Sequence, residues 1–308
     1  MKNTLRKRTF ISAIAMLLVS AIVLTSSTFA WFSMAKRVEV EKMQLNITSP
    51  DGVQISANTS AFTTTLTLAD LMGESTARWN AYEGHTNNFP ELLRPSSSNM
   101  SVARSLPVFY EGSISDSGIL SIKKAEDATG GYVVFDLFVK VSKNETVWWN
   151  ETTVTCIDNP EVETAMRLGM VNCGVVNEKA AAEEIVQALP GNYTNNRSVM
   201  YEIDSKNHTA ASGFSTGAAV DSYYIKAEST NAQMVSGKQY TTNAYVAGTL
   251  PANMTVINDD NLSTSAYFDA TAGVNRIRVY LWMEGNDVDC ANDVAGATID
   301  FNLVLTLK

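Results

Sequence analysis

Histidine is nearly missing from this chain: His85 and His208 are the only two in 308 residues. A zinc-protease motif needs two histidines four apart on one helix face with a glutamate base between them. His85 and His208 each stand alone, in different segments. Basic side chains are also short, 23 against 32 acidic, for a net charge of −9 and a pI near 4.8. Partners held through phosphates need basic patches, so no nucleic acid is expected. Long apolar runs are limited to a single one near the N-terminus, and mean hydropathy is −0.05, which excludes a polytopic membrane protein. Phosphate-cradling loops, dinucleotide fingerprints and EF-hand loops are absent from the sequence. No catalytic residue is therefore assigned, no cofactor is expected, and the work of the protein is read as structural. What the chain does have is apolar content: 45% hydrophobic against 18% charged residues is enough to bury a core and too much for disorder.

The first thirty residues set the compartment. Lys2, Arg6, Lys7 and Arg8 form a positive start, Phe10 to Leu24 run apolar, and Thr28-Phe29-Ala30 end the segment with small residues at the right spacing. Charge, an apolar core of about 7–15 residues and a small-x-Ala site make the layout of a secretory signal peptide. Retention as an uncleaved membrane anchor is the alternative: the core falls short of the ~20 apolar residues a spanning helix needs, although Phe29, Trp31 and Phe32 could extend it. Residues 1–30 are thus expected to be a signal helix, cut between Ala30 and Trp31 by a signal peptidase. The membrane is a partner only before that cut. Losing the four basic residues would take the net charge from −9 to −13. With no second apolar span and no sorting pentapeptide, the mature protein is expected to be secreted, or held at the surface by assembly.

The remainder reads as β. Arg37 to Glu41 alternate polar and apolar, and Met43, Leu45 and Ile47 continue the alternation after a slip at Lys42. Residues 131–141 and 146–157 are rich in β-branched and aromatic side chains, and the 142–145 turn suggests a hairpin between them. Residues 165–171 suit a short strand after the Asp158–Glu161 turn. In 276–284, Ile277, Val279, Leu281 and Met283 alternate with Arg276, Arg278, Tyr280 and Trp282. Residues 297–307 are expected to pair beside that strand, across a short acidic turn. Helix is scarce: one stretch, 178–189, capped by Asn177 and stopped by Pro190-Gly191, and one turn over 68–72. Asn/Ser/Thr-rich stretches at 56–66, 94–104, 192–217 and 227–243 suit long loops. Many strands, few helices and long connections predict an all-β, jelly-roll-like antiparallel sandwich. The domain division is 1–30 signal peptide, 31–47 extended N-terminal strand, and 48–308 one elaborated β-sandwich domain.

Three stretches carry a family likeness: LTSSTFAWFSMAKRVEVEKMQLNIT at the cleavage junction, GYVVFDLFVKVS at 131–142, and RIRVYLWMEGNDVDCANDVAGATIDFNLVLTL at the end. Together they resemble the SipW-dependent, TasA-like (camelysin-related) secreted biofilm matrix proteins of Gram-positive bacteria. The resemblance implies a jelly roll, cleavage by a dedicated signal peptidase, and polymerisation into extracellular fibres in which one subunit's N-terminal strand completes the sheet of the next. Residues 31–47 are the matching segment, with Trp31, Phe32, Met34, Val38 and Val40 as the assembly strand. Nothing in 55–125 or 190–260 matches the family. One member described as a casein-cleaving metalloprotease makes the hydrolase reading worth testing, although no zinc-protease motif supports it.

Two further features need a reading. Asp287, Asp289 and Asp293 alternate oxygens in a way that suits calcium, a cation that takes six to eight oxygen ligands. The same residues suit a capped turn between the last two strands, and the turn is preferred. Cys156, Cys173 and Cys290 allow one disulfide and one leftover thiol, or none. A hairpin of 146–157 with 164–172 would hold Cys173 far from Cys156, beyond the ~7 Å Cα limit for bridging. Cys290 is then the expected partner of Cys173 or Cys156. The functional expectation is a secreted structural subunit of an extracellular matrix or fibre, self-associating through its N-terminal strand. A monomeric surface adhesin with ligand-binding loops is the alternative.

Overall fold

The computed structural model describes residues 42–49, 53–72, 87–98, 100, 107–114, 120–125, 130–149, 152–156, 161–177, 198–202, 254–257, 268–285, 290 and 298–307. Among them the chain is mostly β, with two five-residue helices, and most strand pairs are antiparallel. In order come β1 (Lys42–Thr48), β2 (Gln54–Ser56), β3 (Thr65–Thr67), α1 (Leu68–Met72), β4 (Tyr110–Ile114), β5 (Leu120–Lys124), β6 (Val133–Val141), β7 (Glu145–Trp148) and β8 (Thr153–Cys156). Then follow α2 (Glu161–Ala165), β9 (Met166–Val176), β10 (Ser198–Glu202), β11 (Met254–Ile257), β12 (Phe268–Ala270), β13 (Gly273–Met283), β14 (Thr298–Val304) and β15 (Thr306–Leu307).

The six-stranded sheet runs β11-β10-β9-β13-β6-β2, and the four-stranded sheet runs β3-β1-β14-β8. A three-stranded sheet, β12-β7-β15, and the β4–β5 hairpin complete the set. Two pairs are parallel: β1 with β14, Lys42 opposite Thr298 through Thr48 opposite Val304, and β10 with β11.

Period-two alternation builds the main core. Leu45 and Ile47 of β1, Val154 of β8, and Ile299, Phe301 and Leu303 of β14 point one way from the four-stranded sheet. Val133, Phe135, Leu137 and Val139 of β6, and Ile277, Val279, Leu281 and Met283 of β13, point one way from the six-stranded sheet. Both sets belong to a single buried cluster. The opposite face of the four-stranded sheet is polar, with Gln44, Asn46, Thr153 and Thr155 exposed.

The second face of the six-stranded sheet is buried too. A smaller cluster joins Met100, Phe109 and Ala125 to Val134, Val171, Cys173, Met200, Tyr280 and Trp282. Phe109 stacks on Tyr132 with ring centroids 4.2 Å apart and meets Trp282 edge-on at 5.2 Å. Single bridges hold this covering segment: Ser96 beside Glu284, Ser97 opposite Tyr110, and Asn88 opposite Val134.

Several expected pairings are corrected. Residues 131–141 and 146–157 do not form a hairpin, because β6 pairs with β13 and β2 while β7 pairs with β12 and β15. The second stretch is itself divided into β7 and β8 by a turn in which Thr152 N–H donates to the Trp149 carbonyl at 2.9 Å. Residues 298–304 lie in a different sheet from 273–283, between β1 and β8. Leu303 is fully buried there, so the inner position of this strand stands while its neighbour does not.

The short turn expected at 68–72 is α1. Thr67 caps it: Asp70 Oδ2 accepts from the Thr67 backbone N–H and hydroxyl, each at 2.7 Å. Those bonds hold the Asp70 carboxyl below the usual carboxylate range. The helix expected over 178–189 falls outside the described residues.

Candidate functional site

The expected sites fall unevenly on the described residues. Ala30, Trp31, Phe32, Met34, Val38 and Val40 lie outside them, as do Asp287, Asp289, Asp293, His85 and His208. Among the described residues, no group of three or more His, Cys, Asp or Glu side chains is placed to hold a metal ion.

What is described of the expected assembly strand is its C-terminal part. β1 pairs within its own chain, with β14 along all seven residues and with β3 only over Asn46–Thr48. On the β3 side, the edge from Lys42 to Leu45 therefore has no paired strand among the described residues. Residues 31–41, which precede it in sequence, lie outside the described residues.

The cysteine expectation is corrected. All three cysteines are buried and carry thiols, and no disulfide joins them. Cys156 and Cys290 belong to the main core, whereas Cys173 belongs to the second cluster across the six-stranded sheet, so a Cys173–Cys290 bridge would have to pass through that sheet. Cys156 and Cys290 share a core without being bonded. The hairpin argument against a 156–173 pair also fails, because β8 pairs with β14 and β9 with β10 and β13.

The densest polar site is one the sequence did not announce. Arg276 and Arg278, two apart on β13, share a face, and Asp136 on β6 stands directly opposite Arg278. Arg276 Nη2 donates to Asp136 Oδ2 at 2.6 Å, and Arg278 Nη1 donates to Asp136 Oδ1 at 3.2 Å. Exposure of the three side chains is 0%, 4% and 0% for Arg276, Arg278 and Asp136, so these are desolvated ion pairs rather than surface ones. The Asp136 backbone N–H is satisfied by Asn87 Oδ1 at 3.0 Å.

Cys173 joins the cluster through an irregularity of the ladder. Between Arg276 and Ile277 the register on β9 jumps from Gly174 to Asn172, leaving Cys173 as the extra residue of a bulge. Gly174 takes φ of 90° there, a conformation that suits glycine, and its N–H donates to Asn172 Oδ1 at 2.9 Å.

Electrostatics follow from burial and charge. Burial opposes ionisation of Asp136, yet the two guanidiniums outweigh it and hold the carboxyl below the usual range. Burial also works against the charge on Arg278, and Asp136 reverses the balance, keeping that guanidinium protonated. Burial pushes the Cys173 thiol up to about 11, and the two arginines only partly offset it. It likewise raises the Tyr280 phenol, with Arg278 opposing. At neutral pH the cluster therefore contains two cations, one carboxylate, a neutral thiol and a neutral phenol. With a pKa near 11 only about one thiol in 10⁴ is ionised at pH 7, so Cys173 is not an activated nucleophile.

The same face continues past Tyr280. Trp282 Nε1 donates to Glu284 Oε2 at 3.1 Å, and Arg167 of β9 stands directly opposite Glu202 of β10. Arg167, Glu202 and Glu284 are also almost fully buried. Sequence alternation placed Arg276 and Arg278 on one face. It carried no signal that a second layer covers that face.

No protein-family model matches the chain, and neither a curated protein nor a solved structure matches it.

Proposed function

We propose that the chain is a secreted, non-enzymatic structural subunit of an extracellular fibre or matrix, folded as a jelly-roll-like sandwich and assembling through its N-terminal strand. The sandwich in this reading consists of the four- and six-stranded sheets, whose inward residues share one core. The observation that carries the assembly reading is β1: a central strand whose Lys42–Leu45 edge extends beyond β3, with Trp31, Phe32, Met34, Val38 and Val40 shortly before it in sequence. An edge of that kind accepts an added strand through main-chain hydrogen bonds, while alternate side chains set the register. The donor is residues 31–37 of another copy, released by cleavage after Ala30. Such an exchange is head-to-tail and propagates as an open filament. Before cleavage the signal helix holds the donor at the membrane, which keeps subunits apart inside the cell.

The test is deletion of residues 31–37 from the mature chain, followed by negative-stain microscopy and thermal melting. The truncated protein is expected to be secreted and to melt like its parent, yet to form no fibres. Fibres equal to those of the parent would overturn donor-strand exchange. Dispersed monomers from the untruncated mature chain at high concentration would favour the adhesin reading instead.

A further inference from the structure

We draw no further inference here: the strongest candidate, the outward face of the four-stranded sheet, where Gln44, Asn46, Thr153, Thr155 and Asn302 form a nearly uncharged hydrogen-bonding surface, carries nothing because nothing in the structure shows what covers it.

Discussion

Replacing Asp136 with asparagine keeps the shape of the side chain and removes the charge to which both buried guanidiniums donate. Breaking a buried ion pair from one side costs about 3–5 kcal/mol. Asp136→Asn should lower the urea midpoint accordingly, and a midpoint within error of the parent would show the charge to be dispensable. The same carboxylate sets an acid limit. Its folded pKa lies below the ordinary 3.8, so the unfolded chain takes up the proton first as pH falls. Its contribution to stability is complete above about pH 4 and is lost as pH drops through the folded value. Cys173 acts at the other extreme. Its thiol ionises near 9 when unfolded but at about 11 when folded, so its contribution is full below pH 9 and is lost as pH rises toward 11. Cys173→Ala should flatten the decline of the melting temperature between pH 9 and 10, below the range of the raised Tyr280 phenol. An unchanged slope would rule the thiol out as its cause. None of this was legible in the sequence, since Arg276 and its carboxylate stand 140 positions apart.

Elements were easier to read than their partners. Alternation marked β1, β13 and β14, and β-branched and aromatic composition marked β6, because both are local properties. Pairing is not local: the 142–145 turn was read as a hairpin, yet the chain passes there from the six-stranded sheet to the three-stranded one. Tight turns favour antiparallel neighbours only where both flanking strands seek the same face of the same core, and here each strand finds a longer-range partner. The buried ions give β13 a fixed register. A slip of one residue would turn Arg276 and Arg278 into the apolar core and Ile277 and Val279 out of it. Register on the neighbouring strand is guarded by size. A Cβ on Gly169 would fall 2.6 and 2.7 Å from Met100 Cε and Sδ, and 2.9 Å from the Trp282 ring. Met100 itself is fully buried at φ 50°, an uncommon conformation for a side-chain-bearing residue. Gly169→Ala should destabilise by about 1–3 kcal/mol through overpacking. Shortening Met100 to alanine in the same chain should recover part of that loss. Strict additivity in this double-mutant cycle would show that the two sites do not touch.

At the scale of the whole molecule, the sequence conveyed the strand-rich class and the mainly antiparallel character. It did not convey the parallel pairing of β1 with β14, which brings residues 42–48 and 298–304 side by side. That pairing decides how the molecule bears a load. Tension applied ahead of Lys42 and beyond Leu307 pulls the two strands in opposite directions along their common axis, so the inter-strand hydrogen bonds are strained together rather than one after another. Handles attached at Lys42 and Thr298, which face each other at one end of the pair, would instead peel it open like a zipper. Single-molecule stretching should therefore find a higher rupture force in the first geometry than in the second, and equal forces would mean that another element yields first. In the fibre proposed above, a subunit drawn taut along this axis would resist as a shear joint through its seven-residue ladder.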